Sequence, residues 1–555
     1  MRSSIAALTA ALVLSVGASA SVDAAPPHAA KVEPSVDTMK RLVRELSSDA
    51  FEGRAPGTVG EEKTLALLSS EFAKLGLKPG NNGSWFQDVP LVEIRAKNVS
   101  PLSFSGGRTA VQAAYGPEMV IGTYRTTQPH IAVKDSPVVF VGYGINAPEK
   151  GWNDYAGLDV KGKTVIILVN DPDYETAGLD GPFNGRAMTY YGRWTYKFEE
   201  AARQGAAAAI IVHDTVPAAY GWNVVQSSWT GAQQVADSAD GNAGQSAAIG
   251  WIQKDKAAAL LASAGLDLDT LMAEAKKPGF KAVPLKGVKA SVSFDNALRK
   301  HLSKNVVALL PGKTRPDEYV LYSAHWDHLG HCEAAPDGDD ICNGAVDNAT
   351  GTAALVALAE ANVKAGPTDR SQVFLAVTGE ESGLLGSAYY GDHPLFPLGR
   401  TVGGVNMDAL SMAGPAKNVV VIGKGKSELD AYLDRALAKQ GRVATVEPTP
   451  EKGFYYRSDH FSFAKHGVPM LYFEGGEDLV KGGAAAGMAA AEDYTEHRYH
   501  GPKDEYDPHW DWSGVKADVQ LYFDVGRALA DTTDWPNWVQ GDEFRAIRDK
   551  SRAGQ

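Results

Sequence analysis

Ser323-Ala-His-Trp-Asp-His-Leu-Gly330, Gly344-Ala-Val-Asp-Asn-Ala-Thr-Gly351 and Thr378-Gly-Glu-Glu381 decide how this chain is read. Two of them follow short apolar runs: Tyr319 to Ala324 leads into His325, and Val373 to Thr378 leads into Glu380 and Glu381. Runs of that length, bounded by Gly and Pro, suit strands buried on both faces of a parallel sheet. Thr352 to Val363, rich in Ala and Leu, reads as the crossover helix between them. His325 and the Glu pair then stand at the carboxyl ends of neighbouring strands, where open α/β sheets bind ligands. Asp347 stands in the loop before the helix.

This arrangement gathers an imidazole and several carboxylates at one sheet edge. Carboxylates crowded in low dielectric repel one another, and a divalent cation stabilises such a cluster. Mixed His and carboxylate ligands suit zinc, with manganese or cobalt as alternatives. Further candidates recur at matching places. Arg400-Thr-Val-Gly-Gly-Val-Asn-Met-Asp408 ends another buried-type strand on a carboxylate, and Arg498-Tyr-His-Gly-Pro-Lys-Asp504 brings a second imidazole.

The chain has 555 residues, 44% apolar and 22% charged, with a net charge of −13. That length exceeds one ordinary core and predicts two or more domains. The negative balance argues against nucleic acid or an anionic membrane surface as partner. Residues 1–25 read as a signal peptide: Arg2, an apolar stretch from Ile5 to Val16, then small residues at Ala18-Ser19-Ala20 or Asp23-Ala24-Ala25 as cleavage sites. No later run suits a transmembrane helix, so the expected location is the periplasm or the exterior. Cys332 and Cys342 share one loop of an exported chain and are expected to pair.

Met39, Leu42, Val43 and Leu46 keep helical spacing. Glu52-Gly-Arg-Ala-Pro-Gly57 breaks the pattern before a second helix near 60–75, and Trp85 to Leu91 reads as a strand. From 112 to 285 the texture changes. Pro137–Gly144, Gly162–Val169 and Gly205–His213 are strand-like, with a helix over Lys197–Gln204, and none concentrates metal ligands. This stretch reads as an inserted domain. The expected division is 1–25 signal peptide, 26–111 first part of the catalytic domain, 112–285 insert, 286–540 main catalytic part and 541–555 tail. Val419–Ile422 and Val468–Phe473 add strands, Lys426–Gln440 and Val515–Leu529 add helices, and Trp535 and Trp538 are expected on the surface of the core.

The set His325-x-Asp327, Asp347-Asn348, Glu380-Glu381, Met407-Asp408 and Tyr499-His-Gly-Pro-Lys-Asp504 resembles the M28 family of co-catalytic zinc peptidases over roughly 35–110 and 290–530. The insert resembles a protease-associated (PA) domain through Gly142-Tyr-Gly-Ile-Asn-Ala-Pro148, Gly151-Trp-Asn-Asp-Tyr155 and Gly205-Ala-Ala-Ala. The resemblance implies an α/β zinc-exopeptidase fold, a mixed and mostly parallel sheet flanked by helices, with a β-rich PA insert. It also implies two Zn2+ per chain, His325 and Asp408 holding one, Glu381 and His500 the other, and Asp347 bridging. Asp327 would hydrogen-bond the far nitrogen of His325. Glu380 would be the general base. Tyr499 would stabilise the oxyanion, with Tyr456 as rival. His328, His331 and His460 stand outside the ligand set. The run Asp337-Gly-Asp-Asp340 could hold calcium but reads better as a solvated loop.

The activity implied is release of N-terminal residues from peptides with a free amine. A carboxypeptidase acting on peptide C-termini is the alternative. A glutaminyl cyclase is disfavoured by the two intact metal sites, and a binding protein working through its insert is disfavoured by the complete ligand set. The preferred side chain and the oligomeric state are not legible in the sequence.

Overall fold

The structure is a computed structural model that describes residues 32–332 and 334–553. The signal-like segment 1–25 lies outside the described residues. Among them no helix is long and apolar enough to cross a membrane.

Four parallel strands form the heart of the sheet that ends at His325: Met470–Gly475, Thr401–Asn406, Arg315–His325 and Arg370–Val377, paired in that order. Their side chains alternate as the period of a strand requires. Val320, Tyr322, Ala324, Phe374 and Ala376 enter one core, while Leu321, Val373, Leu375 and Val377 enter the opposite one. The helix Gly351–Ala365 crosses between the His325 and Glu380 strands, as the sequence predicts. Its small residues Ala353, Ala354, Ala357 and Ala359 are fully buried, which lets it lie close to the helices Val36–Leu46 and Ser513–Asp531. A core Leu such as Leu355 or Leu358, also fully buried, costs about 2–5 kcal/mol when cut to Ala.

The strand Val283–Leu310 ties the molecule together. It pairs with Leu102–Ser105 and with the insert strand His130–Phe140 at its start, with Phe86–Lys97 along its middle, and antiparallel to the Glu380 strand at its end, Val306 facing Ala376. The expected domain limit at 285 therefore falls inside one continuous strand. Within the insert, Thr164–Leu168, Ala208–His213 and Ala248–Gln253 run parallel, with apolar cores on both faces. The insert meets the catalytic part through Tyr190, whose ring lies 6.2 Å from Tyr456 and 5.1 Å from Phe461, and through the Met188 N–H, which donates to the Pro450 carbonyl at 3.1 Å.

Three features differ from expectation or were not foreseen. The helix Gly483–His497 buries only Gly487, and its Ala-rich sequence lacks an apolar stripe to announce it. Trp538 is not on the surface of the core but inside it, with its indole N–H on the Gly467 carbonyl at 3.0 Å. The tail forms the helix Arg545–Ala553, anchored by Arg548 on the Val402 carbonyl at 3.0 Å. Cys332 and Cys342 are joined as a disulfide.

Candidate metal centre

The ends of the parallel strands and the loops beyond them bring the sequence-selected residues together. His325 closes its strand, and its Nε2 lies 3.1 Å from Asp408 Oδ1 and 3.3 Å from Asp347 Oδ1. Across the cluster, His500 Nε2 lies 3.0 Å from Glu381 Oε2 and 3.4 Å from Asp347 Oδ2. Asp347 thus turns one oxygen to each imidazole. Glu380 is set further back, 4.0 Å from His325 Nε2. Two donor groups, His325–Asp347–Glu381 and His325–Glu380–Asp408, are each compact enough to hold a metal ion, with donor atoms within 4.8 Å of one another.

The buried charges of the cluster act strongly on one another. Burial, together with the charges of Asp408 and Glu381, pushes Glu380 well above the usual carboxylate range. Burial also opposes ionisation of Glu381, but the imidazoles of His500 and His328 outweigh it and bring that carboxyl down to about 2. His500 rises to about 10: burial works against its charge, and Glu381 and Asp347 overcome it. The two imidazoles and the carboxylates of Asp347, Glu381 and Asp408 are drawn together in a buried site. Nitrogen and oxygen donors converging on buried negative charge are the chemistry of a zinc site, so the residues fit the metal.

The shell around these groups is built from the same motifs. Asp504 accepts from the N–H groups of Val346 (3.0 Å) and Asp347 (3.0 Å) and from the Tyr494 hydroxyl (3.2 Å). Ser458 donates to Asp408 Oδ2 at 2.5 Å and is itself held by the Asn406 amide at 2.8 Å. Arg54 is fully buried and donates to the carbonyls of Trp326 (2.9 Å), Asn343 (2.7 Å) and Gly344 (2.8 Å), pinning the chain beside His325 and before Asp347. The sequence reading gave none of these three a role. Asp504 and Arg54 lie inside quoted motifs, and Ser458 follows Arg457 beside Tyr456, so the signal was their adjacency to the ligands.

Asp327 requires a correction. His325 Nδ1 meets the backbone carbonyl of Asp327 at 3.1 Å, while the carboxylate stands 3.9 Å away. That carboxylate accepts the Glu380 N–H at 3.2 Å instead. It holds the Glu380 backbone, and burial raises it to about 8. His328, set aside as a bystander, hydrogen-bonds Glu381 Oε1 through Nδ1 at 2.5 Å.

The two tyrosines part company. Tyr499 is 39% exposed and stacks on His500 with ring centroids 3.8 Å apart. Tyr456 is buried among Tyr455, Phe461 and Tyr190, with its hydroxyl on Glu543 at 3.2 Å. His460 lies in an aromatic box of Tyr455 and Tyr472, and burial lowers it to about 3. In the loop considered for calcium, Lys503 already neutralises Asp337 at 2.5 Å and Asp339 at 3.8 Å.

Residues 305–523, which carry every candidate ligand, match Peptidase family M28. Over this segment the chain is similar to that family. The mouse protein described as Aminopeptidase NAALADL1 is 34% identical over 128 residues, which is 22% of this chain and 16% of the mouse protein. The chain thus matches only a small part of that relative's length. The solved aminopeptidase from Aneurinibacillus sp. strain AM-1 is 20% identical with a TM-score of 0.50, covering 91% of this chain and 96% of that one. This likeness in fold spans most of the chain. The zinc aminopeptidase BSAP from Bacillus subtilis is 18% identical, with a TM-score of 0.44 and coverage of 92% and 100%.

Proposed function

We propose that the chain is an exported di-zinc aminopeptidase that hydrolyses the N-terminal bond of peptides bearing a free amine. The observation that carries this reading is the shared carboxylate of Asp347, 3.3 Å from His325 through one oxygen and 3.4 Å from His500 through the other. His325 and Asp408 with Asp347 would hold one zinc, and Glu381 and His500 with Asp347 the other. Bound there, the pair would polarise the scissile carbonyl and lower the pKa of a water.

The chain's own residues do the rest. Glu380, 4.0 Å from His325 Nε2, is the group that takes a proton from water and passes it to the leaving amine. Its backbone is fixed by the Asp327 carboxylate. Tyr499, stacked on His500, offers a hydroxyl to the developing oxyanion. A free substrate amine is matched by the acidic surroundings of Glu380 and Asp408. The insert 112–285, read as a PA domain, docks beside Tyr456 and restricts the site to short peptides. Export is supported by the Cys332–Cys342 disulfide, a bond of oxidising compartments.

The test is a panel of aminoacyl amides assayed with and without chelator, each with a free and an N-acetylated amine. Free-amine substrates should exceed their acetylated forms in kcat/KM by at least about two orders of magnitude, the scale of losing roughly 3 kcal/mol in the transition state. Equal rates would reject the aminopeptidase reading in favour of a carboxypeptidase.

A further inference from the structure

Glu381 divides its two oxygens between two imidazoles. Oε2 faces His500 at 3.0 Å, and Oε1 receives His328 Nδ1 at 2.5 Å. We propose that His328 is a positioning residue that orients Glu381 and thereby sets the affinity of the cation position formed by Glu381, His500 and Asp347. The inference rests on the metallopeptidase reading above.

The His328 ring has little freedom to do anything else. It is 1% exposed and lies edge-on to His500, with ring centroids 5.8 Å apart. On another side it abuts Gly344 so closely that a Cβ there would stand 2.6 Å from the ring carbons. Gly344 itself has φ +56 and opens the turn that carries Asp347, so the ring is wedged between that turn and Glu381. A carboxylate that binds a cation through one oxygen is held by what hydrogen-bonds the other. Without the donor at Oε1, Glu381 can rotate about its side-chain bonds, and a buried charged acceptor loses its partner. The geometry assigns the donor to Nδ1, so a replacement must carry an N–H one bond beyond Cγ. Asn does so through Nδ2, whereas Leu matches the bulk without the donor.

The experiment measures zinc stoichiometry and affinity, by mass spectrometry and competition with a chromophoric chelator, for the full chain, His328→Leu and His328→Asn. Thermal unfolding of the metal-free forms serves as a control on folding. The wild-type chain should bind two zinc ions. In His328→Leu one of the two should weaken by about 10–100-fold, while His328→Asn should stay within about threefold of wild type. Metal-free unfolding temperatures should separate the affinity change from any loss of folding. Wild type failing to bind two ions would defeat the metallopeptidase reading itself. Two ions bound with unchanged affinity in His328→Leu would overturn only the present proposal. So would equal weakening in the Asn and Leu variants, since the donor would then not be what matters.

Discussion

Asp504 accepts the backbone N–H of Asp347 at 3.0 Å, so the carboxylate that faces both imidazoles is aimed by another carboxylate 157 residues away in sequence. The same side chain holds the Val346 N–H, and the Tyr494 hydroxyl ties it to the helix that leads to His500. Asp504→Ala should therefore loosen the turn at Asp347 more than it loosens the fold. Zinc affinity should fall by about 10–100-fold, read by chelator competition. Unchanged affinity would show that the turn holds its shape without Asp504.

Glu380 and Glu381 are adjacent but differently placed. Glu381 lies 3.0 Å from His500, and Glu380 no nearer than 4.0 Å to His325. Glu380→Ala is expected to keep its zinc while losing about 10²–10⁴-fold in kcat, the scale of general base catalysis. Glu381→Ala is expected to lose metal as well. Bound zinc in both variants, measured by mass spectrometry, decides the matter; equal loss would contradict the division of labour.

Removing each tyrosine hydroxyl separates the two candidates for the oxyanion. Tyr499→Phe should lower kcat by about 10²-fold with KM little changed, in line with loss of one oxyanion donor. Tyr456→Phe should leave kcat within about threefold and cost about 1 kcal/mol of stability through its lost bond to Glu543. Steady-state kinetics with a denaturation curve for each variant test both halves.

Asp154 in the insert makes stability depend on pH. It is 1% exposed, accepting the Ile145 N–H at 3.0 Å and the Trp152 indole N–H at 2.8 Å. Burial outweighs these donors and pushes it up to about 6. A carboxyl whose folded pKa exceeds its unfolded value of about 3.9 binds more protons when folded. Its effect is to lower stability as pH rises from about 4 to about 6, by up to roughly 3 kcal/mol. Asp154→Asn should be less stable than wild type at pH 4 and recover against it by pH 6.5. Urea midpoints at the two pH values report this, and a constant difference would mean that Asp154 is not the titrating group.

The sequence alone determined the sheet edge and the candidate ligands gathered at it, because both are local patterns. Tyr319–Ala324 and Val373–Thr378 are almost wholly apolar, a pattern that suits a sheet covered on both faces, and such a strand delivers the next polar residue to its carboxyl end. His325, Glu380, Glu381 and Asp408 follow from that rule, and their meeting needs nothing beyond the right-handed crossover. Orientation was a different matter. Whether the carbonyl or the carboxylate of Asp327 meets His325, whether His328 is idle or braces Glu381, and which tyrosine faces the site all depend on side-chain directions set by distant contacts. Tyr456 is drawn away by Glu543 and by Tyr190 of the insert, and Lys503 occupies the acidic loop that could have held calcium. The helix Gly483–His497 left no trace because its Ala and Gly residues carry no apolar stripe, yet it leads directly into Tyr499 and His500. Local hydrophobic period determines where a strand ends. Only the packed fold determines which way the residues at that end point, because the partners that decide it come from elsewhere in the chain.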